Sequence, residues 1–315
     1  MTIQRNMREF FGLIKLMSNK HRWNILILFF TIFIMYELVL IFDKIMDLNN
    51  DYSYPKSIDD LELSSLWEKS EGEMITIAFL DSGIHDELRL IYGDRVVHSY
   101  NVILDNDNVH DAYGHGTSMI CIATCDYEST GIYGIAPKTM IIPIKVFDDN
   151  GETKSEYIAK GIRYAVDNNA DIINISFGSY HYDQDIKDAL VYAKSNNVFV
   201  ISSSGDFTLN EIAFPANHPE TISIGNSNTI NLDSAGIEKE VDFLLPGNDI
   251  STVIFDDNEE GLRLIIVSGC SSSTSIFSGL IALKLSIIEK ELHGTFYFWI
   301  MNEKIEKDLE DIIEK

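Results

Sequence analysis

From Met74 onward, short apolar runs alternate with stretches of helical period, and the alternation predicts the elements. MITIAFL (74–80) and MIIPIKVF (140–147) predict strands, with a helix between them near Thr117 to Cys125. Ser155 to Asn168 predicts a helix, DIINIS (171–176) a strand, Asp183 to Asn196 a helix and VFVISS (198–203) a strand. TISIG (221–225) and LRLIIVS (262–268) predict further strands, and a long apolar helix follows from about Ser272 to Lys290. Strands alternating with helices at this spacing predict an α/β domain, a doubly wound and mostly parallel sheet with helices on both faces. In such sheets the chemistry sits beyond the carboxyl ends of the strands.

A different pattern opens the chain. Residues 24–42, NILILFFTIFIMYELVLIF, carry one charge, Glu37. At about 1.5 Å per residue that run nearly crosses a hydrocarbon core of roughly 30 Å, so it predicts a transmembrane anchor. Arg5, Arg8, Lys15, Lys20 and Arg22 precede it against one acid, Glu9, and Asp43, Asp47 and Asp51 follow it with one Lys44. The positive-inside bias places residues 1–23 in the cytoplasm and the rest outside a single-pass cell membrane protein. A cleavable signal peptide shares this order of charge and apolarity, but the run is long for one and no small-x-small site follows. Residues 43–64 predict a linker, 65–292 the catalytic-sized domain and 293–315 a helical extension.

Composition narrows the partners. Among 315 residues, 49 acidic side chains against 24 basic ones leave a net charge of -25, a surface that repels phosphate and argues against nucleic acid. The three cysteines, Cys121, Cys125 and Cys270, have no metal-ligand spacing and indicate no disulfide framework.

Three polar clusters fall at strand ends or helix starts: Asp81-Ser82-Gly83, Tyr113-Gly114-His115-Gly116-Thr117-Ser118 and Gly269-Cys270-Ser271. Each alone reads equally as a turn or a helix cap. Together, in the order Asp, His, Ser at one sheet edge, they point to a hydrolytic triad. A serine hydroxyl is a poor nucleophile until an imidazole takes its proton, and the imidazole needs a carboxylate to hold its tautomer.

With these boxes the sequence resembles the subtilisin-like serine peptidases over roughly residues 65 to 290. Asp81-Ser82-Gly83-Ile84, Gly114-His115-Gly116-Thr117, Gly134-Ile135-Ala136-Pro137 and Lys145-Val146 match in order. So do Asn174-Ile175-Ser176-Phe177-Gly178, Phe214-Pro215-Ala216, Pro246-Gly247 and Gly269-Cys270-Ser271 with Gly279 behind it. The resemblance implies Asp81 as orienting carboxylate, His115 as general base and acid, and Ser271 as nucleophile. It also implies that Ser176-Phe177-Gly178 and Ser203-Ser204-Gly205 wall the primary specificity pocket, with Ala213 at its base. A small residue there admits an apolar side chain, while nearby Asp206 and Glu211 equally favour Arg or Lys. No cofactor is required for such chemistry. A structural Ca2+ is expected in the loop Asp126 to Gly131, with Asp126, Glu128 and the distant Glu87 as ligands.

The sequence departs from the family's pattern in two places. In the serine box, Cys270 stands where threonine is usual, Ser273 on an alanine and Ser275 on a proline; Ser272, Thr274 and Ser275 are expected as capping hydroxyls. Asp206 stands where the family's asparagine donates to the oxyanion. An ionised carboxylate cannot donate, and in this family losing that donor costs about 10²- to 10³-fold in rate. Either Asp206 is protonated and donates, or the backbone N–H of Ser271 works largely alone. The expected function is a membrane-anchored, outward-facing serine endopeptidase acting on a peptide or protein, by analogy a leader peptidase of the lantibiotic type. The alternative is a catalytically silent relative that binds peptides in the same groove. Only about 30 residues separate Phe42 from the first expected strand, too few for the family's propeptide, so folding unaided or with another protein is expected.

Overall fold

The computed structural model describes residues 63–205, 211–229, 241–256 and 259–292. The predicted anchor at 24–42, nearly all of the linker, Asp206 and the 293–315 extension lie outside the described residues.

Seven parallel strands form the main sheet: β1 (Thr76–Asp81), β2 (Tyr100–Asn101), β3 (Met140–Lys145), β4 (Ile172–Ile175), β5 (Phe199–Ser203), β6 (Ile222–Asn226) and β7 (Phe243–Leu245). Their spatial order is β2-β3-β1-β4-β5-β6-β7, so β1 lies near the middle. Helices are α1 (Leu63–Trp67), α2 (Asp86–Tyr92), α3 (His115–Thr124), α4 (Tyr127–Thr130), α5 (Ser155–Asp167), α6 (Gln184–Ser195) and α7 (Cys270–Leu292).

Side chains alternate across each strand, and the two faces bury separate cores. Ile77, Phe79, Ile141, Ile172 and Ile201 join residues of α3 and α7 on one face. Ala78, Leu80, Ile142, Ile144 and Ile173 join residues of α5 and α6 on the other. Continuous apolar runs such as those of β1 and β3 follow from this two-sided burial. The doubly wound expectation therefore holds for the described residues.

The remaining strands depart from it. LRLIIVS lies in β9 (Glu259–Val267), which pairs antiparallel with β8 (Ile250–Asp256) in a separate hairpin outside the main sheet. β2, β7 and β8 were not predicted, because two- and three-residue strands carry no readable period and β8 (ISTVIFD) mixes polar and apolar positions. Among the described residues, one helix, Cys270–Lys290, is long and apolar enough to cross a membrane, but 83% of that window is buried inside the domain, as a core helix requires. Cys121 and Cys125, one helical turn apart, form a disulfide with Cα atoms 4.5 Å apart, against the expectation from cysteine spacing. Cys270 is a buried free thiol.

Candidate active site

β1 ends on Asp81, which is 2% exposed. One of its oxygens accepts from the Ser82 N–H at 2.8 Å and from the Ser82 hydroxyl at 3.3 Å. His115 is the first residue of α3, with Gly114 as its left-handed N-cap (φ 85°). The His115 Nδ1 lies 2.8 Å and 3.0 Å from the two Asp81 oxygens. Gly116 explains how the helix comes so close: a Cβ there would stand 2.4 Å from the Gly83 carbonyl and 3.1 Å from the Asp81 Cβ. The negative charge of Asp81 raises the His115 pKa above the ordinary 6.5, against the opposing effect of burial, with the Asp81 hydrogen bond and the field of Asp111 adding to the rise.

Asp111 was not singled out in the sequence. It is 3% exposed, and its two oxygens serve the start of α3. One accepts from the N–H groups of Tyr113 (3.2 Å) and Gly114 (2.8 Å), the other from the Thr117 N–H (2.8 Å) and hydroxyl (2.6 Å). An acid shortly before a helix start was the available signal. It was masked by the more conspicuous histidine.

Ser271 is the second residue of α7, in the first turn, where backbone N–H groups have no intrahelical acceptor. Its hydroxyl donates to the Ser176 carbonyl at 2.6 Å. The neighbouring hydroxyls are not caps as expected. Because α7 begins at Cys270, Ser272, Thr274 and Ser275 lie inside the helix, and all are buried. Thr274 bonds back to the Cys270 carbonyl at 2.8 Å. Ser275 lies 3.3 Å from the Ser176 hydroxyl, which accepts from the Asn174 amide at 2.7 Å, and Ser278 donates to the Asn174 oxygen at 2.8 Å. Where the family's pattern has proline, a buried side-chain network ties α7 to the end of β4. Ser273 donates to the Leu245 carbonyl at 3.0 Å, and the Cys270 thiol to that of Ile224 at 2.8 Å.

Asp81, His115 and Ser271 line one cleft of about 400 Å³, together with Ser176, Phe177, Gly178, Ser203, Gly205 and Ala213. Ser204 does not line it; its hydroxyl is turned to the Ile224 carbonyl at 2.8 Å. Gly178 and Ala213 meet at the pocket, where a Cβ on Gly178 would lie 2.6 Å from that of Ala213. Phe147, Gly151 and Tyr180, which nothing in the sequence marks, also line the cleft, as do Ser82 and Tyr113 from the clusters around Asp81 and His115. Phe147 meets Phe177 edge to face at 4.7 Å.

The expected calcium ligands are not brought together: no group of three His, Cys, Asp or Glu residues suited to a metal occurs among the described residues, so Glu87, Asp126 and Glu128 do not form one. Asp126 instead caps α4 by accepting from the Ser129 N–H at 3.1 Å and hydroxyl at 2.9 Å, and stands 3.8 Å from Arg95.

The chain is similar to proteins of known activity. It is 28% identical over 264 residues to the major intracellular serine protease of Bacillus subtilis (strain 168), covering 79% of each chain. It is 28% identical over 246 residues to the subtilisin of Bacillus pumilus, covering 74% of this chain and 85% of that one. Against subtilisin E of Bacillus subtilis (strain 168) it is 28% identical over 246 residues, 74% of this chain and 61% of the other. The model of the subtilase family matches residues 72–303, most of the chain, and the protein belongs to that family.

Proposed function

We propose that this subtilase is a serine endopeptidase working through Asp81, His115 and Ser271. The observation that carries the reading is the His115 Nδ1, 2.8 Å from buried Asp81, in the cleft that also holds Ser271. With Nδ1–H given to the carboxylate, Nε2 is the free base. It takes the proton of Ser271 as the hydroxyl oxygen bonds to the scissile carbonyl carbon, and the carbonyl oxygen takes up the negative charge. The same proton then passes from Nε2 to the departing amine, leaving an acyl-serine that water hydrolyses by the same route. The Ser271 N–H in the first turn of α7 supplies one donor to the oxyanion, and Asp206, which by resemblance takes the place of the family's asparagine, serves as a neutral acid or as no donor at all.

An extended peptide lies between Ser176-Phe177-Gly178 and Ser203-Gly205, adding as a strand. The apolar run at 24–42 with its basic flank supports a membrane anchor and a domain on the outer face, acting on an exported peptide or protein such as a leader-bearing precursor. The silent peptide-binding reading also has an observation in its favour: the Ser271 proton is engaged by the Ser176 carbonyl. A fluorophosphonate probe separates the two. Labelling of Ser271 in folded protein supports the peptidase, and no labelling supports the binder. Asp206→Asn is expected to raise turnover about 10- to 100-fold by restoring a donor; an unchanged rate removes the oxyanion argument.

A further inference from the structure

Gly178 and Gly205 line the cleft beside Ser271, and both turn their bare Cα atoms toward Ala213. A Cβ on Gly178 would lie 2.6 Å from the Ala213 methyl and 3.5 Å from the Ser203 carbonyl oxygen, and one on Gly205 would lie 3.3 Å from the same methyl. Carbons in contact stand about 3.5–4.0 Å apart, so the methyl occupies the gap between the two glycines and no further carbon fits there. Glycine walls open a slot for a substrate side chain, and Ala213 fills the bottom of this one.

The methyl is held in place by main-chain bonds on both sides. The Ala213 N–H donates to the Ser204 carbonyl at 3.0 Å. The next residue, Phe214, exchanges two bonds with Ser179: its N–H donates to the Ser179 carbonyl at 2.7 Å, and its carbonyl accepts from the Ser179 N–H at 2.8 Å. Withdrawing Ala213 to deepen the slot would break buried backbone bonds to both walls. Charge gives no reason for a basic side chain to enter. Among the described residues the one carboxylate lining the cleft is Asp81, which is turned to His115, while Glu211 is exposed and does not line it.

We propose that this peptidase cuts after small uncharged residues, of the size of Ala or Ser, and that Ala213 is the specificity-determining residue that stops larger side chains. This rests on the triad reading above, since it concerns the residue whose carbonyl Ser271 attacks.

The test labels the full chain with three peptidyl diphenylphosphonates that are identical except for the side chain next to phosphorus, that of Ala, Phe or Lys, beside a small alkyl fluorophosphonate that has no such side chain. The Ala probe is expected to react about 10- to 100-fold faster than either of the others, the scale set by forcing extra carbons into a filled pocket. Ala213→Gly removes the methyl and should raise the ratio of Phe to Ala rates about 10-fold. A wild type that prefers the Phe or Lys probe, or reacts equally with all three, overturns the proposal while fluorophosphonate labelling leaves the triad reading standing. An unchanged Phe to Ala ratio in folded Ala213→Gly also overturns it, because the selectivity would then have another source. Should that variant fail to fold, the wild-type order of rates decides alone. A wild type that the fluorophosphonate does not label overturns the triad reading, and this proposal with it.

Discussion

The hydroxyl of Ser271 donates to the main-chain carbonyl of Ser176 at 2.6 Å, so the candidate nucleophile's proton points at backbone and not at a base. A hydroxyl has one proton to give. To pass it to His115, Ser271 must turn about its Cα–Cβ bond, a low barrier between staggered rotamers. In a crystal of the phosphonylated protein the Ser271 oxygen is expected to lie beyond about 3.5 Å from the Ser176 carbonyl, outside hydrogen-bond reach. A retained contact, with phosphorus on another residue, would count against the nucleophile assignment.

Activity should have an acid limb set by His115. Only the neutral imidazole accepts a proton, and Asp81 raises its pKa above the ordinary 6.5, so the midpoint is expected above pH 6.5. Removing the carboxylate charge in Asp81→Asn should move the midpoint down and slow the reaction roughly 10³- to 10⁴-fold. For stability the sign runs the other way. The raised pKa means that the Asp81–His115 pair stabilises the fold fully below pH 6.5, and its contribution is lost as pH rises through the folded value. Histidine NMR titration checks both; a midpoint at or below 6.5 in the wild type would contradict them.

Asp111→Ala strips acceptors from four donors at the start of α3: the N–H groups of Tyr113, Gly114 and Thr117 and the Thr117 hydroxyl. The expected cost is about 2–4 kcal/mol in urea unfolding. Labelling should slow as well, since His115 begins the same helix. Asp111→Asn, which keeps one acceptor oxygen, should recover part of the loss.

Asp171→Asn should stabilise the protein at neutral pH. Burial pushes this carboxyl up to about 6, against the Thr76 N–H bond and with the charge of Glu289 adding. A folded-state pKa above the unfolded one means that the group favours folding below its unfolded pKa of 3.8 and loses that contribution as pH rises through 4 to 6. An amide keeps the acceptor for Thr76 without the charge. The gain at pH 8 is expected on the order of 2 kcal/mol, shrinking toward pH 4, as read from thermal melts at both values. An equal gain at both would show that ionisation is not its source.

The alternation of apolar runs made β1, β3, β4, β5 and β6 legible because each is buried on both faces, and α5 and α6 because each is apolar on one. The boxes around Asp81, His115 and Ser271, which line one cleft, were legible because each has a glycine within two residues at a strand end or helix start. What was hidden depends on partners distant in sequence. The Lys145 ammonium reaches the Ser82 carbonyl 63 residues before it, and the Ser204 hydroxyl turns away from the cleft to the Ile224 carbonyl 20 residues after it. Glu87, Asp126 and Glu128 show the reverse: acidic residues in suggestive loops, with Asp126 occupied as a helix cap.

Ser273, Thr274, Ser275 and Ser278 give α7 a hydrogen-bonded opening, followed by an apolar stretch including Leu280, Ile281, Leu283 and Leu285. An apolar rod in an apolar sleeve can slide or rotate at modest cost, since one methyl replaces another. Sliding this one by a single residue would carry three hydroxyls away from their acceptors on other elements, each left buried and unpaired. It would also move Gly279 off Ile135, against which a Cβ at position 279 would lie at 2.5 Å. The helix is therefore indexed along its own axis like a keyed shaft, and the depth at which Ser271 enters the cleft is set by residues up to two turns behind it.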